Sequence, residues 1–496
     1  VQKPPESEWR CHDAAWVAAA LFFALILRAL FFCALTGYDE FAYARIAADI
    51  AEGTFRFREV TGYYGFRYLV TLPAAFFYKF LGQNQYSAAA WPLACSLGNV
   101  ILAYLLGREL FNRRTGVIAA VFQACLPISV VYGTMLYPDE ILVFWTGLSA
   151  LFFLKGAKVS GKWGGAGFLA FSGLLAGLGW YTRLNSAVLL IVYAAWSLRG
   201  GPRPAHLALV GGFLCALIPD WAAGFALAGD PLFSLRSQLA KLSSDSGAYA
   251  GGHLVYLRSL LGLDLYGLAL FGFYFYFAAA AAAVAGYRKE LGRLWVPLAW
   301  FVIVLIYLEF GPASLSPYQP VHKQLRFLSM GFFPVIISAA FVISEFRLAR
   351  YRLLCAGFLI LTSIVACWKM NAYVSAAAVP QRLAAVYLKA RAPAGLYVTG
   401  SWGHFLAYYL RDQHSVPYYR KLGDGNEFIQ PLERAAAART LSRSCAVIDA
   451  LTETSVVGGD ARDSALRRIK KDLREVYAVP GGPVIYCFKA LNKAAE

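Results

Sequence analysis

Tyr68-Leu69-Val70-Thr71-Leu72-Pro73-Ala74-Ala75-Phe76-Phe77-Tyr78-Lys79-Phe80-Leu81 is the stretch on which the fold turns. It is apolar enough to enter a bilayer. It is also only fourteen residues long and carries Pro73 and Lys79, where a crossing helix needs ~20 residues. If it crosses, every later segment changes side. Eleven other apolar segments read as spans: 14–36, 88–107, 116–136, 140–154, 164–181, 185–198, 205–227, 264–286, 294–310, 327–345 and 353–371. The first is too long, and too closely followed by others, for a cleaved signal peptide. Between the spans lie five short basic loops: Arg108/Arg113/Arg114, Lys155/Lys158/Lys162, Arg199/Arg203, Arg288/Lys289/Arg293 and Arg347/Arg350/Arg352. With the N-terminus cytoplasmic and Tyr68–Leu81 not crossing, all five fall on the cytoplasmic side, as the positive-inside bias requires. With Tyr68–Leu81 crossing, all five move together to the outer side, against that bias. We therefore read Tyr68–Leu81 as an interfacial or re-entrant helix on the outer side.

Composition supports a lipid-facing chain. Of the 496 residues, 59% are hydrophobic and only 15% charged, against about 25% charged for a water-soluble fold. Too few charges are present to cover a globular surface. The net charge of +17 is what the basic loops and anionic headgroups account for. No basic stripe interleaved with stacking aromatics points to nucleic acid. Nine cysteines without a CxxC pair speak against a metal-ligand or redox framework. Cys33, Cys95, Cys125, Cys215, Cys355 and Cys367 lie in apolar spans as small filler, while Cys445 and Cys487 fall in the polar tail, where their pairing stays open.

The expected fold is therefore an all-α polytopic membrane domain, residues 1–373, with outer loops 37–87, 228–263 and 311–326. Residues 374–496 form a small extramembrane α/β domain on the same side. In that tail charges return (Arg382, Lys389, Arg391, Arg411, Asp412), and strand-like runs appear at Gly395–Thr399, Cys445–Ala450 and Val484–Phe488. Helical stretches are expected at Pro380–Ala390 and Asp460–Lys471. The Ser/Gly-rich stretch Ser243–Gly252 reads as a mobile lid.

Ionisable groups at membrane depth or at span ends are the informative ones, because burying charge is costly. Two Asp-Glu pairs flanked by aromatics stand at outer span ends: Tyr38-Asp39-Glu40 and Tyr137-Pro138-Asp139-Glu140. The outer stretch Tyr318-Gln-Pro-Val-His322-Lys323-Gln-Leu-Arg326-Phe327 carries three cationic donors, and an arginine fork suits a phosphate. Arg67 follows Tyr63-Tyr64-Gly65-Phe66, and Arg183 sits in a tight outer turn. Carboxylates, cations and aromatics on one face are what sugar transfer from a lipid phosphate requires. A base takes the acceptor hydroxyl's proton, cations steady the leaving phosphate, and rings pack on sugar faces. From the residues alone this reaches an anionic lipid substrate and acid–base chemistry.

The order of these motifs resembles the GT-C glycosyltransferases. Tyr38-Asp39-Glu40 through Tyr43 and Ala47 to Gly53 resembles their first outer loop. Arg67–Gly82 and Leu106-Gly107-Arg108-Glu109-Leu110-Phe111-Asn112-Arg113-Arg114 look like its continuation in the aminoarabinose-transferase and protein-mannosyltransferase-like branch. His322-Lys323-x-x-Arg326-Phe327 is similar to the HKExRF signature of lipid-linked-oligosaccharide and GPI mannosyltransferases, with Gln324 where that signature is acidic. The likeness covers about the first 370 residues in order and topology.

The resemblance implies a GT-C fold and an inverting transfer from a polyprenyl- or dolichyl-phosphate sugar to a lipid, glycan or protein acceptor. The enzyme would be mannosyltransferase-like, a hexosyl- or pentosyltransferase of the inner membrane working at its periplasmic face. Asp39 would be the base, with Glu40, Asp139 and Glu140 assisting. Arg67, His322, Lys323 and Arg326, with Tyr63 and Tyr64, would hold the donor. Metal use varies across the superfamily, and a divalent ion would fall to Asp39 and Asp139. Two rival classes are a transporter or flippase of a lipid-linked glycan, which would be expected to show two related halves, and an accessory subunit whose tail docks a partner.

Overall fold

The computed structural model describes residues 6–391 except 61, 249–253 and 317. Beyond 391 it describes residues 395–398, 406, 410, 418–420, 444–448, 473–479 and 484–488. The chain divides into two compact units: Val1–Ala34 with Ile46–Ala372, and Leu35–Arg45 with Tyr373–Glu496.

The chain opens with α1 (Glu6–Leu30), α2 (Tyr38–Ala51), α3 (Tyr68–Leu81), α4 (Gln85–Leu110), α5 (Arg113–Cys125), α6 (Pro127–Tyr132) and α7 (Pro138–Lys158). Next come α8 (Ala166–Trp180), α9 (Val188–Gly200), α10 (His206–Ala228), α11 (Phe233–Ala248), α12 (Val255–Leu260), α13 (Leu265–Phe271), α14 (Tyr274–Tyr287) and α15 (Leu291–Phe310). A hairpin of β1 (Pro312–Leu315) and β2 (Tyr318–Pro320) precedes α16 (Phe332–Ser344) and α17 (Ala349–Arg391).

Helix occupies most of each of the eleven expected spans, although α1 ends at Leu30, short of the expected 36, and α6 at Tyr132, short of 136. Among the described residues, seven helices are long and apolar enough to cross a membrane, or eight if the bent pair α13 and α14 is one span. That pair turns by 75° at Gly272, whose φ of +58° suits a residue without Cβ. The 116–136 segment is likewise broken, with Pro127 starting a second short helix. All of α16 is buried, as an all-round apolar helix at a bundle centre should be. The Asp13–Leu30 window is only 22% buried and turns its remaining apolar surface outward.

The five basic loops share one face, linked from one to the next. Lys158 bonds Glu109 (2.7 Å), Arg203 donates to the Val159 and Ala157 carbonyls (2.7 and 3.1 Å), Arg199 donates to the Gly292 carbonyl, and Arg293 reaches Glu345 (3.7 Å). Both ends of α3 lie at the opposite face. The Leu69 amide donates to the Tyr181 carbonyl just past α8 (3.3 Å), and Trp91, near the start of α4, donates to the Leu69 carbonyl (2.8 Å). Gln83, which follows α3, bonds Glu52 (2.9 Å). The helix does not traverse the bundle.

Two expectations differ in their elements. Ser243–Ala248, expected as part of a Ser/Gly-rich loop, forms the last turns of α11; residues 249–252 lie outside the described residues. Nearer its start, α11 is held by Ser234, which donates to Asp220, and by Ser237, which bonds both backbone groups of Gly62 (3.1 and 3.3 Å). Second, the last span and the helix expected at Pro380–Ala390 are one continuous α17, with Pro380 inside it.

In the second unit a five-stranded mixed sheet has the order β4-β3-β5-β7-β6, from β3 (Gly395–Val398), β4 (Tyr418–Arg420), β5 (Ser444–Ile448), β6 (Leu473–Ala478) and β7 (Val484–Phe488). Cys445 and Cys487 face each other across β5 and β7 and are disulfide-bonded. The helix expected at Asp460–Lys471 lies outside the described residues.

Candidate active site

Pro138 occupies the first turn of α7, where its missing N–H goes unneeded. This puts Asp139 and Glu140 beside the positive end of the helix dipole, at the face opposite Lys158. Successive helix positions diverge by about 100°, so the two carboxylates face different surroundings.

Asp139 is 1% exposed and lies between two guanidiniums. Arg183 Nη2 is 3.2 Å from Oδ1 and Arg326 Nε is 3.8 Å from Oδ2. Each guanidinium also stacks on a ring: Arg183 on Phe327 at 4.0 Å, Arg326 on Tyr137 at 3.9 Å. A planar delocalised cation accepts a carboxylate at its edge and an aromatic at its face together. Three separate parts of the sequence, around 139, 183 and 326, thus form one charged centre.

Glu140 points into the bundle. Asn99 Nδ2 and Ser129 Oγ donate to its Oε2 at 3.0 and 2.8 Å. Ser129 Oγ accepts from Arg28 Nη2 (3.0 Å) and Gln123 Nε2 (3.0 Å). Fully buried Arg28 also donates to Ser96 Oγ (2.9 Å) and the Ala124 carbonyl (2.9 Å). A buried acid and a buried base are thereby joined through one serine, which meets the requirement that charge at depth be paired and hydrogen-bonded.

The hairpin closes a third group. The Val321 amide donates to the Gly311 carbonyl (2.9 Å), bringing Lys323 onto Glu309 at the end of α15. Their Nζ–Oε2 distance is 3.0 Å, and both side chains are 2% exposed. Glu309 Oε1 accepts from the Leu257 amide (3.0 Å), and the Tyr256 hydroxyl accepts from the Gln324 amide (3.2 Å). Burial pushes the Tyr256 phenol well above its ordinary range, so it remains a neutral phenol. The His322 ring stands 6.4 Å from that of Phe327. Arg67, just before α3, lies 4.3 Å over Tyr63, whose ring is 4.6 Å from that of Tyr64.

Asp39 and Glu40 belong to the second unit, at the second and third positions of α2. Glu40 Oε1 reaches back to the Gly37 amide (3.0 Å) and the Thr36 hydroxyl (3.2 Å). That is the glutamate half of a capping box. Gln381 Nε2 donates to the Thr36 carbonyl (3.1 Å) and anchors the same turn to α17. Asp39 is half-buried.

Among the described residues no three His, Cys, Asp or Glu side chains come together as a metal set. The two guanidiniums beside Asp139 do not fit a divalent cation at that carboxylate. Reading the sequence did not assign Glu309, Arg28 or Asp220, and gave Arg183 no role. Each is an ionisable residue within or beside an apolar span, which is the signal that could have found them.

Residues 68–220 match a family model described as dolichyl-phosphate-mannose-protein mannosyltransferase. That window holds Asp139, Glu140 and Arg183. Among solved structures, ArnT from Cupriavidus metallidurans in the apo state is similar at a TM-score of 0.66 and 13% identity, over 96% of this chain and 98% of that one. ArnT bound to undecaprenyl phosphate gives 0.65 and 14%, over 96% and 99%. The archaeal oligosaccharyltransferase AglB from Archaeoglobus fulgidus, in complex with an inhibitory peptide and a dolichol-phosphate, gives 0.55 and 14%, over 97% and 74%. A search of the curated proteins finds no sequence match. The chain has the fold of these GT-C membrane proteins.

Proposed function

We propose that this chain is an inverting membrane glycosyltransferase. It moves a sugar from a polyprenyl-phosphate donor to a lipid, glycan or protein acceptor. The reading rests above all on Asp139 buried between Arg183 and Arg326, inside the fold shared with proteins bound to undecaprenyl phosphate and dolichol-phosphate.

The chemistry divides between carboxylate and cations. Asp39 takes the acceptor hydroxyl's proton as the oxygen attacks the anomeric carbon. The carbon–oxygen bond to phosphate breaks, the configuration inverts, and the phosphate leaves as an anion. Arg326, Lys323, His322 and Arg67 steady that charge, which develops most fully in the transition state. Asp139 holds the two guanidiniums in register. Glu140 assists from within the bundle by tying α7 to Asn99 of α4 and Ser129 of α6, and Glu40 by capping α2. Tyr63 and Tyr64 offer faces for the sugar.

The site is assigned to the periplasmic side of an inner membrane. The basic loops gather on the face away from Asp139, which supports this orientation. The disulfide in residues 374–496 supports an oxidising compartment for that domain.

The test is transfer from radiolabelled polyprenyl-phosphate sugars in proteoliposomes. Asp39→Asn and Arg326→Gln should each lower turnover at least about a hundredfold. Wild-type turnover in Asp39→Asn would remove Asp39 as base. Counterflow of a lipid-linked glycan without any product would replace the enzyme reading with transport.

A further inference from the structure

A cavity of about 600 Å³ is walled by α3, α8, α10 and the end of α2 with the chain that follows it. That volume falls within the roughly 300–1,000 Å³ range of sites that enclose a small ligand. Its lining is almost wholly apolar, including Phe55, Phe57, Leu69, Leu72 and Leu178. Leu72 and the neighbouring Pro219 are exposed on the apolar outer surface, so the cavity communicates with what surrounds the bundle.

One polar group interrupts this lining. Asp220 lies within the span α10, directly after Pro219, and is 7% exposed. Its Oδ1 accepts from the Tyr68 hydroxyl (2.9 Å) and its Oδ2 from Ser234. Among the described residues no cation pairs with it. Tyr181 lines the same wall, its ring 5.4 Å from that of Tyr68. Its hydroxyl donates to the Ala216 carbonyl (2.6 Å), next to where Pro219 interrupts the hydrogen-bond ladder.

A buried carboxylate with two neutral donors and apolar walls is incomplete as an electrostatic unit. Each oxygen keeps acceptor capacity, and the low-dielectric surroundings strengthen any cation brought to it. An anionic head would meet Asp220 with like charge.

We propose that this cavity binds a single-chain amphiphile whose hydrocarbon tail lies along the apolar walls and whose ammonium group pairs with Asp220. This is a site apart from the Asp139 centre, and its test does not depend on glycosyl transfer.

The experiment uses the full chain in phosphatidylcholine nanodiscs. The probes are three hexadecyl compounds with a diazirine on the chain, ending in an amine, an alcohol or a carboxylate. Labelling is expected in the order amine, alcohol, carboxylate, with cross-links mapping to Leu69–Leu72, Leu178 and Phe55–Phe57. Asp220→Asn should raise the amine concentration for half-labelling about tenfold and change the alcohol's by less than about twofold. Leu72→Trp, which fills the cavity from its outer side, should reduce labelling by all three. Equal labelling by carboxylate and amine, or cross-links elsewhere, would overturn the proposal on the unaltered protein, whatever the folding of the variants. So would an Asp220→Asn protein with a wild-type melt and unchanged amine labelling.

Discussion

Lys323 and Glu309 set up a test that separates holding the fold from holding a phosphate. The pair is direct and both side chains are nearly sealed from solvent. Replacing Lys323 with Met leaves the Glu309 carboxylate with one remaining donor among the described residues, the Leu257 amide. Removing one member of a buried ion pair costs about 3–5 kcal/mol, while replacing both by apolar groups of similar volume is often neutral. At an unfolding entropy of roughly 2 cal/mol/K per residue, over a unit of some 360 residues, that is a loss of about 4–7 °C in melting temperature. Thermal melts in detergent should therefore show Lys323→Met well below the wild type and Lys323→Met/Glu309→Leu close to it. Transfer from a polyprenyl-phosphate sugar, measured below every melt, should stay lost in the double variant, because the cation is gone although the fold is repaired. A double variant that melts as low as Lys323→Met refutes the buried-pair argument. One that regains turnover along with stability leaves Lys323 a structural residue with no part in phosphate binding.

Arg183→Lys should keep a charge near Asp139 yet lose the fork and the stacking on Phe327; kcat/KM should fall about ten- to a hundredfold, and an unchanged value would remove Arg183 from the charged centre. Asp39 and Glu40 should part company: Asp39→Asn melts like the wild type but does not transfer, whereas Glu40→Ala loses a cap worth about 0.5–2 kcal/mol and keeps measurable transfer. Between α8 and α10, a Cβ on Gly173 would overlap the Leu209 carbonyl and one on Gly212 the Ala170 carbonyl; Gly173→Val should cost about 1–3 kcal/mol or more in a detergent melt. In intact cells, a membrane-impermeant maleimide should label a cysteine placed at Tyr318, which is exposed in the outer hairpin, and labelling that requires permeabilised cells would reverse the proposed orientation.

The membrane architecture was legible because two independent patterns agree. Apolar length locates the spans, and loop charge states which ends share a face; the contacts among Lys158, Glu109, Arg203, Arg199 and Arg293 join the same loops. The short strands Tyr418–Arg420 and Leu473–Ala478 were missed, since neither presents a run of apolar residues long enough to stand out. The bend at Gly272 was hidden because Phe271 and Phe273 keep the hydropathy high on both sides. Of the charged centre, Asp139 and Arg326 were readable as ionisable residues at span ends. The joining of Arg183 to them was not, because a tight turn between α8 and α9 looks the same in sequence whether or not its side chain is used. Glu309 stands at the end of an apolar run, as Asp139 does at the start of one, but no aromatic-flanked Asp-Glu pair marks it in the sequence.

The two Asp-Glu pairs show why adjacent carboxylates need not share a task. In α2 and α7 alike the aspartate is the second residue of the helix and the glutamate the third. A third-position glutamate is long enough to turn back, and Glu40 does so, onto Thr36 and Gly37. Glu140 uses the same reach to enter the bundle and meet Ser129 and Asn99. Glu40 thus sets where its helix begins, while Glu140 ties its helix to α4 and α6. The aspartates, one residue earlier and one methylene shorter, stay in the first turn of the helix, where Asp139 meets Arg183 and Arg326. A variant that exchanges Asp139 and Glu140 in place keeps composition, charge and helix propensity nearly unchanged. It should nevertheless fail in both roles, because the shorter acid no longer spans to Ser129 and the longer one crowds Arg183.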